Sequence, residues 1–412
     1  MGKEINILYI LQQSIYNKEG KWLTADSNIN MMVGILNRLT RCNPDLHVYV
    51  LIDYIENFAD LNRYEDIMDD PQVHFVSYPF VVDAFLNRQH FDVKMFDLLF
   101  NHLPHIDIVW SNITEQSRNI KTYLHYKKHD AKLITCCYWL DTPMIGEPKV
   151  PEEIAYMWRQ FDGMECSDIC VFTCPSTKEA FFQNAKQVFN KSFIKKIAAK
   201  SVIWDFGYSE CEALDHERPK LEKPTILFLN RLSDINYTHH HEFISAVNAL
   251  YEQRQDFQVV FTNPSQKADW EGLKKLVPAL HIHNNGQPLT RKEYFGLLWG
   301  SKISFHGYTL ERYGGCAHRE SIYCRNITIT PKVFEYERIQ GKHYPYYVKN
   351  DFSNLMEVMN KALDTYKDFF ESDMPRQIRI RNGQSAFENV AKVVVNDIKR
   401  LIGVEIGDVT LL

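Results

Sequence analysis

The chain has 412 residues, 45% hydrophobic and 24% charged, which is the composition of a folded globular protein and excludes a disordered one. A formal charge of −5 gives no net field toward nucleic acid or anionic lipid, so only a local basic patch would serve such a partner. No apolar run is long enough to span a bilayer, so no transmembrane segment is expected. The start, Met1 to Ser14, lacks a small-residue cleavage site, and Asn6 breaks the myristoylation pattern, so the expected location is cytoplasmic. Nine cysteines, an odd number, include several inside apolar runs such as Ile169–Cys174, which reads as buried, reduced thiols.

In chain order, short apolar runs alternate with longer helical patterns, the signature of parallel α/β sheets. Strands are expected at Ile5–Leu11, His47–Ile52, Val73–Val76, Asp107–Trp110, Lys132–Tyr138 and Ser167–Cys174. A helix capped by Asp26, Ser27 or Asn28 runs to about Arg41, and another starts near Ser176. Residues 209–224 are polar, hold two prolines and show no apolar period, so they read as a linker. The pattern then restarts with strands at Thr225–Leu229, Phe257–Thr262, Ile303–His306 and Ile327–Ile329. A helix over His240–Arg254 carries Phe243, Ile244, Val247, Leu250 and Tyr251 on one stripe, and further helical patterns cover Phe352–Leu363 and Ser385–Leu401. The expected domains are 1–208, the linker 209–224, a second domain 225–385, and a last segment 386–412 that returns to the first domain. Two such sheets place ligands at the carboxyl ends of their strands, where helix N-termini offer free N–H groups to phosphate.

Residues 225–330 carry a resemblance. Leu229–Leu232 reads Leu-Asn-Arg-Leu, Gly286 follows a short strand, Tyr294 and Leu298 lie in the helical pattern after it, and Glu311, Tyr313, Gly314 and Glu320 follow in order. This segment is similar to the nucleotide-sugar domain of GT-B glycosyltransferases, most closely glycosyltransferase family 4. The resemblance implies a GT-B fold, with two Rossmann-like α/β domains facing across a cleft. Arg231 matches the family's phosphate-binding arginine, while Asn236 stands where the family has lysine; His239, His240 and His241 would supply that charge. The two acids are nine apart, one more than usual. Gly314 and Gly315 would let backbone N–H groups reach the diphosphate. Glu320 would hold the donor ribose and Glu311 would lie nearer the sugar, with His318 and Arg319 alongside. The donor set is thus Asn230, Arg231, His239, Gly286, Tyr313, Gly314, Gly315, His318 and Glu320. The first half matches more loosely, with Gly207 in the segment leaving the first domain and Ser385-Ala386-Phe387 before the last helix.

What this implies is a retaining glycosyltransferase acting on a nucleotide-sugar, a UDP-sugar first, with no metal and no other cofactor. Transfer leaves charge on the diphosphate, which a metal-free site must neutralise with cationic groups and helix N-termini; Arg231 takes this role, and Glu311 joins it in the catalytic set. Asp141, after the strand Lys132–Tyr138, is read either as an acceptor-side carboxylate or as a cap before Pro143. Lys21, Trp22, Asp26 and Asn28 form the candidate acceptor side, although capping also explains the last two. No cysteine or histidine group has metal-ligand spacing with a fourth ligand in sequence. Residues 181–200 hold five lysines and no acid, and residues 121–129 add more, which suits a polyanion. The chain also resembles bacteriophage enzymes of GT-B type, and that resemblance implies a hydroxymethylated base in phage DNA as acceptor, against a glycan or cell-wall acceptor. Two readings from other classes are a GT-B-shaped nucleotide-sugar epimerase and a non-catalytic binding partner.

Overall fold

A computed structural model describes residues 4–11, 27–52, 70–78, 90–137, 151–205, 207–231, 238–263, 270–282, 289–308 and 315–403. The chain divides into two compact units. One is Met1–Phe206 together with Phe387–Leu412, the other Gly207–Ala386.

The first unit is built on a seven-stranded parallel sheet. Its strands are β1 (Ile5–Ile10), β2 (Leu46–Ile52), β3 (Val73–Ser77), β4 (Ile108–Ser111), β5 (Lys132–Cys137), β6 (Ile169–Phe172) and β7 (Ser201–Ile203), in spatial order β3-β2-β1-β4-β5-β6-β7. In the register Ile7 faces Val48 on one side and Ile108 on the other. Every residue of β1 is buried, as expected of a parallel strand with both faces covered. Side chains alternate between the faces. Ile5, Ile7 and Tyr9 join a core with the helix Ser27–Cys42. Leu8 and Ile10 join another with the helices Val93–His102 and Ser117–Tyr126.

The helix Phe387–Ile402 completes the first of these cores. Its buried residues are Phe387, Val390, Ala391, Val394, Val395 and Ile398, one stripe at the helical period. Close approach to the helix Ser27–Cys42 depends on Gly34, where a Cβ would sit 2.3 Å from the Phe387 ring. Trp204 anchors the same helix by donating from Nε1 to Asp397 at 2.8 Å.

The second unit has a five-stranded parallel sheet of β8 (Thr225–Arg231), β9 (Gln258–Asn263), β10 (Ile303–Phe305), β11 (Ile327–Pro331) and β12 (Tyr347–Val348), ordered β12-β11-β10-β8-β9. Ile226 and Phe228 pack on one face with the helix His240–Gln253; Leu227 and Leu229 pack on the other with the helix Arg291–Gly300.

The polar stretch 209–224 is not irregular throughout. It contains a helix, Glu210–Leu214, capped by the Ser209 hydroxyl. It is also bound along its length. Trp299 Nε1 donates to the Ala213 carbonyl at 2.7 Å, and the Leu221 N–H donates to Gly300 at 2.7 Å. Lys220 Nζ reaches the carbonyls of Ser301 and Cys324 at 2.5 and 2.9 Å. Polarity signals solvent only when the polar atoms lack partners, and these have them.

Candidate donor site at the switch of the second sheet

The second sheet begins at β8 and grows to one side as β9, then resumes on the other side as β10. The order of the strands therefore reverses between β8 and β10, the place where such sheets bind ligands outside the carboxyl ends of their strands. At the end of β8 the register slips. Phe228 faces Phe261, yet Arg231 faces Asn263, so β8 carries one extra residue. Such a bulge re-aims the residues at a strand end. Asn230 lies in it, 3% exposed, and its side-chain NH₂ has no hydrogen-bond acceptor among the described residues. A buried amide in that state is costly unless something else accepts from it.

β10 ends at Phe305 and is followed by His306 and Gly307. A Cβ on Gly307 would stand 2.3 Å from the Thr238 carbonyl, so only glycine permits these segments to meet. His239, next along, has φ 54, and its ring stacks at 4.1 Å on Phe352, which has φ 56. His239 Nδ1 also lies 3.3 Å from a Glu242 carboxylate oxygen. Two non-glycine residues held in the left-handed region at one strand edge store strain of the kind found at functional sites.

The helix Cys316–Tyr323 starts beside this edge. Gly315 caps it at φ 57 and makes no side-chain cap hydrogen bond. His318, in its first turn, is fully buried, and neither ring nitrogen has a hydrogen-bond partner among the described residues. It packs edge-on against His306, with ring centroids 5.2 Å apart, and against Tyr336 at 4.7 Å. Burial pushes His306 down to about 3. Burial, and then the proximity of His306 and Arg319, holds His318 well below the ordinary histidine value. Both rings are neutral near pH 7.

Glu320 is committed within the protein. It is 4% exposed, and its two oxygens accept from Arg291 Nη2 at 2.9 Å and the Tyr294 hydroxyl at 2.8 Å. Arg291 also forks onto Glu212 at 2.7 and 2.8 Å. Arg319 is buried too, donating to the Ser385 hydroxyl and lying 3.5 Å from Glu335, which takes a second cation from Arg338 at 2.5 Å.

Of the residues singled out in the sequence, the structure brings Asn230, Arg231, His239, Gly315 and His318 to the carboxyl edge of the second sheet or the helix start beside it. Only the backbone of Arg231 is described. Gly286, Glu311, Tyr313, Gly314, Asp141, Lys21, Trp22 and Asp26 lie outside the described residues, and of Asn28 only its place in the helix Ser27–Cys42 is described. Sequence reasoning missed His306, Gly307, Tyr336 and Arg291. His306 and Gly307 did carry a signal, since they directly follow a strand beside the first strand of their sheet.

The first unit has its own switch, between β1 and β4. Asn112 there donates to the Tyr9 hydroxyl at 2.7 Å and accepts from Trp110 Nε1 at 3.2 Å. Glu115 follows, buried, accepting from Gln160 Nε2 at 2.8 Å; the sequence had not singled it out. The lysine-rich stretch 181–200 is partly spent inside the unit. Lys200 Nζ donates to the carbonyls of Glu165 and Ser167 at 2.5 and 2.6 Å, and Lys196 lies 3.6 Å from the Glu165 carboxylate.

No protein-family model matches the chain, and no curated protein resembles it significantly in sequence. Solved structures do resemble it in shape. A glycosyltransferase from Rickettsia africae superposes with a TM-score of 0.67 at 13% identity, over 97% of this chain and 99% of that one. A sucrose-phosphate synthase from Thermosynechococcus elongatus gives 0.65 at 13% identity, over 97% and 100%. The Anabaena protein HepE, solved in complex with UDP-glucose, gives 0.60 at 10% identity, over 96% and 100%. Likeness at such identities establishes the fold: two parallel α/β sheets of the GT-B type.

Proposed function

We propose that the chain is a glycosyltransferase that moves a sugar from a nucleoside-diphosphate sugar, a UDP-sugar first, to an acceptor hydroxyl. The observation that carries this reading is the edge between β8 and β10, where the helix Cys316–Tyr323 opens on Gly315 without a side-chain cap and the Asn230 amide has no acceptor. Free N–H groups at a helix start favour a phosphate group. The UDP-glucose complex of the similarly folded HepE supports the choice of nucleotide.

In this reading the bond from the anomeric carbon to the diphosphate oxygen breaks, a bond to the acceptor oxygen forms, and the acceptor's hydroxyl proton passes to the departing phosphate oxygen. Arg231, the Gly315 helix start and the Asn230 amide stabilise the leaving diphosphate without a metal. Glu311 lies by the sugar, Asp141 serves the acceptor side, and the configuration is retained. Glu320 reaches a ribose hydroxyl only through a second lone pair on an oxygen already bound to Arg291 or Tyr294. Its first role is to fix the helix that presents Gly315.

The acceptor we infer is a hydroxymethylated base in DNA, with stretch 181–200 as its support. The internal ties of Lys196 and Lys200 keep a glycan hydroxyl as the sibling reading. Salt-dependent binding to a DNA duplex separates the two.

The test is release of UDP from UDP-glucose and other UDP-sugars, by the wild type and by Arg231→Ala. Loss of one transition-state cation predicts a fall in kcat of about 10²–10³-fold. Unchanged release in the variant removes Arg231 from the mechanism. Turnover of the donor with no acceptor and no UDP released marks an epimerase, and no thermal shift with any nucleotide or nucleotide-sugar ends the whole reading.

A further inference from the structure

A separate cluster of ligating side chains lies in the first unit, at the amino end of its strands and so at the edge opposite the switch. His105 is in the segment leading into β4, and His129 and Asp130 are in the segment leading into β5. β4 and β5 are paired neighbours, so these segments meet. The helix Ser117–Tyr126 ends through Lys128 at φ 53, and the His129 N–H closes the turn on the Leu124 carbonyl at 2.9 Å. That turn brings the His129 ring onto His105, with centroids 4.7 Å apart and planes 20° apart, while Phe100 braces it edge-on at 5.0 Å. Asp130 Oδ1 lies 3.4 Å from His105 Nε2 and 4.0 Å from His129 Nδ1. One ligand atom from each of the three falls within 4.8 Å of the others.

These separations suit a metal. A tetrahedral ion with bonds of about 2.0–2.1 Å holds its ligand atoms about 3.3 Å apart. The gap from His105 to Asp130 is already that edge. The gap from His129 Nδ1 is wider, and closing it requires Asp130, whose side chain is 84% exposed, to move toward the ring. His129 Nδ1 accepts from the Ala131 N–H at 3.2 Å, so the metal either displaces that bond or takes Nε2. Two imidazoles with one carboxylate select zinc and its transition-metal neighbours over magnesium or calcium.

We propose that His105, His129 and Asp130 bind one zinc-like divalent transition ion, with water completing the shell, and that the ion ties together the segments entering β4 and β5. Its place at the amino end of the strands makes the role one of stability rather than transfer. The proposal is independent of the transferase reading.

The test is zinc binding to the full chain after chelator treatment, by calorimetry and thermal melting, with magnesium as control. His105→Ala is the first variant, because that side chain is 55% exposed and its loss leaves the core intact. His129→Ala is the second, and Cys211→Ser, at an exposed thiol, controls for cysteine binding. The expected result is one saturable equivalent of zinc that raises Tm, weakened more than about 10-fold in both histidine variants and unchanged in Cys211→Ser. Equal zinc affinity in wild type and His105→Ala, loss of binding only in Cys211→Ser, or no saturable binding overturns the proposal.

Discussion

Among single residues, Glu320 changes most between sequence and structure. Order in the chain marks it as an acid at a helix start. It cannot show that Arg291, 29 positions earlier, and Tyr294 already hold both oxygens. Arg291→Ala would leave a carboxylate with 5% side-chain exposure and no cation. Stranding such a charge costs about 3–5 kcal/mol, and the partial exposure of Arg291 favours the lower end. Converting the pair together, Arg291→Met with Glu320→Gln, should recover more than half of that loss in urea unfolding. If the double variant is as unstable as the single one, the network is not what holds this helix. His306 and His318 make a second prediction, whose sign follows from their depressed pKa values. The unfolded chain binds more protons than the folded one once pH drops below the ordinary value of 6.5. Stability is therefore present above that pH and is lost as pH falls toward the folded value, about 3 for His306. At about 1.4 kcal/mol per pH unit, the loss between pH 7 and 5 is about 2 kcal/mol for His306, and His318 adds to it in the same direction. His318→Leu should make the urea midpoint less dependent on pH below about 6.5. An identical slope in wild type and variant would show that His318 does not enter the folded core neutral.

For whole elements, legibility follows burial. β1, β2, β5, β8 and β9 are long apolar runs, and the sequence places them to within a residue or two. β7 has three residues and β12 two, too few to define a period; β7 was expected only through the resemblance of the segment that holds Gly207, and β12 was not expected. The helix Glu210–Leu214 was missed for a related reason. It is little more than one turn, and its position is fixed by Ser209, Trp299 and Arg291 rather than by its own residues. Strand order was not legible either, since alternation implies parallel pairing but not which strand is the neighbour. Contact between the helices Ser27–Cys42 and Phe387–Ile402 is legible only as two amphipathic patterns; that they share Gly34 and Phe387 is seen only in the fold. Gly34→Ala should cost about 1–3 kcal/mol, because the added carbon overlaps the Phe387 ring. Phe387→Ala should cost about 3–5 kcal/mol through lost burial and a cavity. With both changes the new methyl enters space the ring has vacated, so the combined loss should fall at least about 1 kcal/mol short of the sum. Strict additivity in denaturant unfolding would mean that the two helices do not meet at this pair.

Across the whole molecule, the restart of the α/β pattern near residue 225 makes two sheets legible, while the way the chain shares itself between units has an energetic consequence. The second unit is one continuous stretch, Gly207–Ala386, with apolar clusters on both faces of its sheet. The first unit is discontinuous and takes its last helix from beyond residue 386. That helix gives the core Phe387, Val390, Val394, Val395 and Ile398, besides Ala391. Burying the five larger side chains contributes roughly 1.5–3 kcal/mol each, on the order of 10 kcal/mol together. A whole domain is stable by only about 5–15 kcal/mol. Removing residues 387–412 should therefore unfold the first unit and leave the second unit folded. Residues 207–386 produced alone should melt cooperatively and keep the neutral histidine pair, seen as the same pH-dependent loss below about 6.5. The truncated chain 1–386 should show that one transition only, with residues 1–206 cut rapidly by protease. Adding a peptide of residues 387–412 in trans should restore protection, since it resupplies the missing stripe. A truncated chain that still shows two cooperative transitions would mean that the Ser27–Cys42 helix and the sheet hold the first core without the returning helix.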